Sequence, residues 1–140
     1  VSLPTRRSRV QVPLPAPNLD KNKKKTELIM EDLADKKCIP CEGGIPAFDI
    51  KEIHKYLKKI DGWDVLKDKE KNYYIEKNFK FNNYVESEKF VLNVGKIAET
   101  EGHHPDISFG WGYARIKIST HAIKGLAESD FVLAAKIDKI

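Results

Sequence analysis

The chain has 140 residues, enough for one domain with a hydrophobic core of its own. Its composition, 41% apolar and 33% charged, is ordinary for a soluble globular protein, and no apolar run approaches the length of a membrane span. The net charge of +4 comes partly from two basic clusters, residues 6–9 and 21–25. We interpret these clusters as solvated and flexible, so nucleic-acid binding is not expected.

The first 25 residues differ from the rest of the chain. Residues 1–20 contain four prolines and three arginines but no apolar period. We interpret residues 1–25 as a disordered leader, either vector-derived or the remnant of a targeting segment. A cytoplasmic location is favoured, and an organellar one follows only if the segment is a targeting remnant.

Residues 26–44 are predicted to form an N-terminal extension, with helical spacing over residues 26–37 and then a loop that contains Cys38 and Cys41. Two cysteines this close seldom form a stabilising disulfide, and they supply only two of the four ligands of a structural zinc site. A thioredoxin-like redox site would place the pair where a strand enters a helix, whereas a glycine-rich loop follows here. We interpret the pair as structural or incidental.

From residue 45 onward, the hydrophobic pattern predicts seven elements. In chain order they are helix, strand, strand, helix, strand, strand and helix, at about residues 50–60, 63–66, 72–81, 84–101, 106–111, 115–120 and 128–137. Two hairpins separated by a helix imply an α+β domain of two layers, in which helices pack on one face of a four-stranded antiparallel sheet. The chain has no G-x-G-x-x-G or P-loop motif, so no nucleotide-binding fold is indicated.

Local signals support the boundaries of these elements. Asp49 and Asn83 each precede a helix and have a glutamate three residues further on, as in a capping box. Gly102 is a natural stop for the central helix. The strand over residues 72–81 alternates between apolar and polar residues, and Lys77 is the exception on its inner face.

Three of the four histidines fall within nineteen positions, at His103, His104 and His121. Imidazole titrates near neutral pH, so the cluster suggests proton-transfer chemistry. The first two follow the central helix and the third ends the last strand, and on a four-stranded sheet these places can approach one another. The plainer interpretation, surface or core histidines, is usual for a single histidine but less so for three together.

Two acidic residues accompany the histidines. Glu99 lies one helical turn before His103 and can orient an imidazole, although it can also belong to a solvated helix face. Asp130 lies in the first turn of the last helix, where a carboxylate favours the helix dipole and can reach back to the N-cap amide.

This constellation resembles the signature of the pterin-4a-carbinolamine dehydratases. It consists of Glu99, His103-His104-Pro105, Trp111, His121 and Asp130 at their spacing in this chain. Further similar motifs are Gly62-Trp63, Phe79-Lys80-Phe81, Ser119-Thr120-His121 and Gly125-Leu126. The resemblance covers residues 45–140, and residues 36–44 resemble the N-terminal extension of plant, bacterial and protist-type members.

The resemblance implies a hydro-lyase, a 4a-hydroxytetrahydrobiopterin dehydratase. Such an enzyme converts 4a-hydroxytetrahydropterin to quinonoid dihydropterin and water, which recycles the cofactor of aromatic amino acid hydroxylases. It implies His103 and His121 as the catalytic acid and base and His104 as a third site residue that binds and orients the pterin. Glu99, Pro105, Trp111 and Asp130 would orient these groups or wall the pocket. The pterin is the substrate, and neither a cofactor nor a metal is expected.

Two features depart from the family pattern. Ala127 stands before the last helix where the family often has Ser or Thr, which removes a side-chain cap worth about 1 kcal/mol and leaves Asp130 without a capping-box partner. Gly110 and Gly112 flank Trp111, and glycines in a strand indicate bulging or the close approach of a ligand.

Two alternatives remain open from the sequence. In the first, His103, His104 and His121 bind zinc, with Cys38 and Cys41 nearby, although adjacent histidines diverge on an extended backbone. In the second, the chain is a dimerising binding module or transcriptional cofactor on the same fold. An open sheet edge and an apolar last helix favour self-association, and the resemblance implies a homodimer or homotetramer without a membrane partner.

Overall fold

The computed structural model describes residues 33–39 and 44–140. Its elements are α1 (Ile50–Leu57), β1 (Asp64–Lys67), β2 (Tyr73–Lys80), α2 (Tyr84–Glu101), β3 (Asp106–Gly110), β4 (Tyr113–Ile118) and α3 (Glu128–Asp138). A short 3-10 turn, His121–Ile123, connects β4 to α3, and residues 33–35 are also helical. The predictions for the leader, for residues 26–32 and for Cys41 fall outside the described residues.

The four strands form one antiparallel sheet in the order β1-β2-β4-β3. Ile75 of β2 pairs with Ile118 of β4, and neither side chain is exposed to solvent. These inward-facing side chains join residues of α2 and α3, such as Val94 and Phe131, in one hydrophobic core. The predicted two-layer α+β fold and its element order are confirmed.

The helix boundaries follow the predicted signals closely. The side chain of Asp49 accepts a hydrogen bond from the Glu52 amide at 2.8 Å, and that of Asn83 accepts one from the Glu86 amide at 2.9 Å. Gly102 ends α2 with a left-handed φ of 63°, a conformation that glycine adopts without steric cost. Helix α1 ends at Leu57, earlier than predicted, because residues 58–60 continue as turns.

Lys77 lies on the inner face of β2, as predicted, and its charge is paired there. Its Nζ donates to Asp138 Oδ1 at 2.7 Å and to the carbonyl oxygen of Asp61 at 2.6 Å. The indole N–H of Trp63 also donates to Asp138, so this carboxylate ties the end of α3 to the first hairpin. This partly buried ammonium is tolerated because a carboxylate and a carbonyl replace much of its water.

The second hairpin differs from the prediction at its tip. Strand β3 ends at Gly110, and Trp111 lies in the turn with 72% of its surface exposed, so it does not continue the strand. Gly112 has a φ of 77° in this turn. Both glycines face atoms of the protein itself. A Cβ on Gly110 would lie 2.8 Å from the ring of Tyr113, and one on Gly112 would lie 3.1 Å from the Phe81 carbonyl oxygen.

The end of the N-terminal extension belongs to the core of the domain. Leu33, Ala34 and Cys38 are between 2% and 8% exposed and are part of the main hydrophobic cluster.

Within the described residues, no helix is both long enough and apolar enough to cross a bilayer.

Candidate active site

His103 is positioned by the way α2 ends. Its backbone N–H donates to the Ala98 carbonyl oxygen at 3.1 Å across the left-handed Gly102, which is the hydrogen-bond pattern of a Schellman-type helix end. The imidazole Nε2 then lies 2.7 Å from Oδ1 of Asp130, the third residue of α3. The helix terminus thus turns His103 toward the first turn of another helix.

Asp130 is completely buried and accepts three hydrogen bonds. Besides His103, the hydroxyl of Thr120 and the backbone N–H of Ala127 each donate to Oδ2 at 2.8 Å. These donors replace the water that a buried carboxylate loses. When the Asp130 carboxylate is ionised it can only accept, so Nε2 of His103 then carries the hydrogen of the shared bond and Nδ1 is the nitrogen left for a ligand. His103 itself keeps 16% of its side chain exposed.

His104 pairs with Glu99 at the surface. Its Nε2 lies 2.8 Å from Glu99 Oε2, and the two side chains are 63% and 82% exposed. Glu99 contacts His104 rather than His103, because the chain leaves the helix at Gly102 and His103 turns toward α3 instead. Glu99 orients the neighbouring histidine, in a contact open to solvent.

His121 begins the 3-10 turn after β4 and is exposed. It lines a polar cavity of about 230 Å³ together with Lys117, Thr120, Lys124 and residues of the turn between β1 and β2. Neither His103 nor His104 lines this cavity. His121 is linked to His103 only indirectly. Thr120, the residue before His121, donates its hydroxyl hydrogen to the same Asp130 carboxylate that His103 contacts.

Pro105 and Trp111 lie at opposite ends of β3. Pro105 follows His104 directly and precedes the strand, whereas Trp111 lies in the turn after it. Six residue steps along an extended strand span roughly 20 Å. Within one chain, the structure therefore brings Pro105 to the histidines but not Trp111.

Known proteins are similar to this chain over most of its length. The sequence model of the family described as Pterin 4 alpha carbinolamine dehydratase matches residues 46–140. The chain belongs to this family. The family match begins at residue 46. Residues 33–39, which contact the dehydratase domain, therefore lie outside the matched segment.

Individual relatives cover most of the chain. A Rubrobacter xylanophilus protein named provisionally as a pterin-4-alpha-carbinolamine dehydratase is 44% identical over 111 residues, which are 79% of this chain and 100% of that protein. An Azoarcus protein of the same provisional name is 44% identical over 112 residues, 80% of this chain and 93% of its own. A Brucella melitensis crystal structure, titled transcriptional coactivator/pterin dehydratase, matches with a TM-score of 0.60 and 25% identity over 66% of this chain and 96% of its own.

The departure from the family pattern at Ala127 concerns the start of α3. Ala127 is the N-cap of α3 and provides no side-chain acceptor, as expected. Asp130 nevertheless keeps its half of a capping box, because its Oδ2 accepts the Ala127 N–H. The same carboxylate therefore begins the helix and holds the histidine.

Cys38 is buried, and its thiol lies 3.4 Å from the Ser129 carbonyl oxygen. Burial, helped by the negative charge of Glu101, raises the pKa of the thiol to about 12. The thiolate that metal binding or nucleophilic attack requires is therefore scarce near neutral pH. In residues 33–39 and 44–140, no three His, Cys, Asp or Glu side chains form a cluster that would hold a metal ion.

Two groups near the histidines carry no sequence pattern that by itself indicates their role. Thr120 appeared only as part of a motif, and its hydroxyl is a partner of Asp130. Glu101 and Lys136 form an ion pair of 2.7 Å just before Gly102. The position of Thr120 beside His121 was a usable signal for the first contact, whereas no local pattern indicates the second.

Proposed function

We propose that the chain dehydrates a 4a-hydroxytetrahydropterin, such as the biopterin form, to quinonoid dihydropterin and water by histidine acid–base catalysis. Membership of the dehydratase family supports the reaction, and the recycling of a tetrahydropterin cofactor follows from its product. The observation that carries the catalytic part is the contact between His103 and the buried Asp130.

The chemistry requires two proton transfers. The hydroxyl on C4a leaves as water only when it gains a proton, and a nearby ring nitrogen must lose one. Asp130 holds Nε2–H of His103, so Nδ1 can accept a proton while the carboxylate stabilises the resulting imidazolium. We assign His103 as the base and His121 as the acid that protonates the hydroxyl.

The remaining candidates bind and orient the pterin in this proposal. His104, whose ring contacts Glu99, is exposed and adjacent to His103, which supports a role in contacting the incoming ligand. Pro105 stiffens the chain directly after the two histidines. A role for Trp111 requires a second copy of the chain, because the residue is remote from the histidines of its own chain.

The test is stopped-flow absorbance with freshly generated 4a-hydroxytetrahydrobiopterin. We expect the wild-type protein to accelerate dehydration and His103→Ala and His121→Ala each to lose roughly a hundred- to ten-thousand-fold of the rate. His54→Ala, in α1, is the matched control and should keep full activity. A folded wild-type protein without acceleration would exclude catalysis and leave a binding module on the same fold.

We also propose that the chain forms a homodimer or homotetramer. Val85 and Leu92 on α2 are 71% and 59% exposed, and Tyr84 packs against Phe109 beside the open edge of β3. Exposed apolar side chains and an unpaired strand edge favour self-association. Sedimentation velocity should show an oligomer that Leu92→Lys weakens, and a wild-type monomer at micromolar concentration would contradict the proposal.

A further inference from the structure

Residues 33–39, here called the clip, lie across the ends of the two helices that position His103 and Asp130. The clip is anchored in the core through Leu33, Ala34 and Cys38, which are at most 8% exposed. It makes polar contacts with the last residue of α2 and with the first two residues of α3.

The contact with α2 runs through Glu101. Its Oε2 accepts the backbone N–H of Cys38 at 2.9 Å, and its Oε1 pairs with Lys136 of α3 at 2.7 Å. The two charged side chains are only 10% and 19% exposed. Glu101 therefore joins the clip, the end of α2 and the last turn of α3, two residues before His103.

The contacts with α3 are at its beginning. Lys36 pairs with Glu128 at 2.7 Å, and the thiol of Cys38 donates to the Ser129 carbonyl oxygen at 3.4 Å. Both partners directly precede Asp130 in the first turn of the helix. The Lys36 pair is exposed on both sides and contributes little energy, so the buried contacts at Cys38 carry this end of the clip.

Glu101 is charged in the folded protein. Burial alone would raise the pKa of its carboxyl group, but the bonds from Lys136 and from the Cys38 N–H more than offset this, and the net effect holds the pKa below its ordinary value. Its two contacts are therefore charge-assisted hydrogen bonds, which are shorter and stronger than neutral ones.

We propose that Glu101 is a positioning residue: through the clip it sets the separation between the end of α2 and the start of α3, and with it the hydrogen bond from His103 Nε2–H to Asp130. The consequence for catalysis rests on the proposed function, whereas the consequence for the hydrogen bond does not. A small displacement matters because catalytic groups lose efficiency when they move by about 1 Å.

The chain contains a closely matched control. Asp138 also pairs with a lysine at 2.7 Å, and the exposures of that pair, 9% for Asp138 and 18% for Lys77, are nearly those of Glu101 and Lys136. It lies at the last turn of α3 and contacts neither the clip nor the histidines. Asp138→Ala should therefore destabilise the fold at least as much as Glu101→Ala without loosening the clip.

The experiment compares the full-length wild type with Glu101→Ala, Glu101→Gln and Asp138→Ala. The first readout is the imidazole Nε2–H proton of His103 in NMR spectra, which is visible when its hydrogen bond slows exchange with water. The second is the pair kcat and KM for 4a-hydroxytetrahydrobiopterin. The NMR readout needs no activity, so it tests the clip even if the proposed reaction fails.

We expect Glu101→Ala to lose the His103 proton signal and about tenfold in kcat, with a smaller change in KM. Glu101→Gln keeps an acceptor for the Cys38 N–H and should restore part of the signal, whereas Asp138→Ala should keep it. The proposal is overturned if both glutamate variants retain the signal, or if Asp138→Ala loses it equally, because general destabilisation would then explain the effect.

Discussion

Two histidine–carboxylate pairs in the described part of the chain have almost the same length and opposite surroundings. His103 and Asp130 are 2.7 Å apart and 16% and 0% exposed, whereas His104 and Glu99 are 2.8 Å apart and 63% and 82% exposed. Water screens the second pair and competes for its hydrogen bonds, but it does not reach the carboxylate of the first. Distance alone therefore says little about what each pair contributes to stability or to chemistry.

Removal of the buried carboxylate should have the largest effect. Asp130→Ala leaves the His103 ring, the Thr120 hydroxyl and the Ala127 amide without their acceptor. We expect a loss of about 3 kcal/mol or more in the free energy of unfolding, because each buried unsatisfied group has its own desolvation cost. Urea denaturation monitored by circular dichroism measures this loss, and a change below about 1 kcal/mol would contradict the described role of the carboxylate.

Loss of one donor to the same carboxylate should have an intermediate effect. Thr120→Val preserves the shape of the side chain but removes the hydroxyl that bonds Asp130, and we expect a loss of about 1.5–3 kcal/mol in the free energy of unfolding. Thr100→Val is the control, since its hydroxyl bonds only the Lys96 carbonyl oxygen on an exposed face of α2. Equal losses in the two variants would show that the hydrogen bond to the buried Asp130 contributes no more to the free energy of unfolding than the exposed one does.

Acid should remove the stabilisation that a third carboxylate, that of Glu101, contributes to the folded protein. The environment of Glu101 resembles that of Asp130 more than that of Glu99. Because folding lowers its pKa below the ordinary 4.5, its contribution to stability is complete above about pH 4.5 and is lost as the pH falls through the folded value. Glu101→Gln should therefore flatten the acid side of a plot of unfolding free energy against pH. Parallel acid limbs for the wild type and the variant would refute this linkage.

Neutralising the exposed pair should have the smallest effect. Glu99→Gln keeps a hydrogen-bond acceptor near His104, and we expect a change of less than about 0.5 kcal/mol in the free energy of unfolding. What the charge of Glu99 contributes to this contact should disappear in 1 M salt, because screening acts fully at an exposed site. A loss as large as that of Thr120→Val would mean that solvent exposure does not separate the two pairs.

The fold could be predicted because its signals are local. Asp49 and Asn83 cap the helices they precede, and the alternation that turns Ile75 inward is visible along its own strand. The predicted end of β3 was wrong because the alternation of apolar residues in the sequence continues beyond the last paired residue. Trp111 continues the apolar alternation of β3, but pairing ends at Gly110 and leaves the indole in the turn.

The candidate site could be predicted only as a set of residues. The spacing of His103, His104 and His121 indicated a cluster, but it did not say which carboxylate serves which ring. That depends on the direction in which the chain leaves Gly102, which sends one ring inward to Asp130 and the other outward to Glu99. Contacts between distant parts of the chain, such as that of Cys38 with Glu101, leave no trace in local patterns.

Helix α3 buries seven residues in succession, Ser129 through Ala135, so water solvates no face of the helix over this stretch. Such a helix is stable only when it is enclosed by the sheet and the other helices. It also follows all four strands in the order of synthesis. On the ribosome, His103 therefore emerges before Asp130. Until α3 leaves the exit tunnel, a nascent chain whose hairpins have already paired has an incomplete core. Its His103 imidazole then lacks the Asp130 carboxylate as a partner.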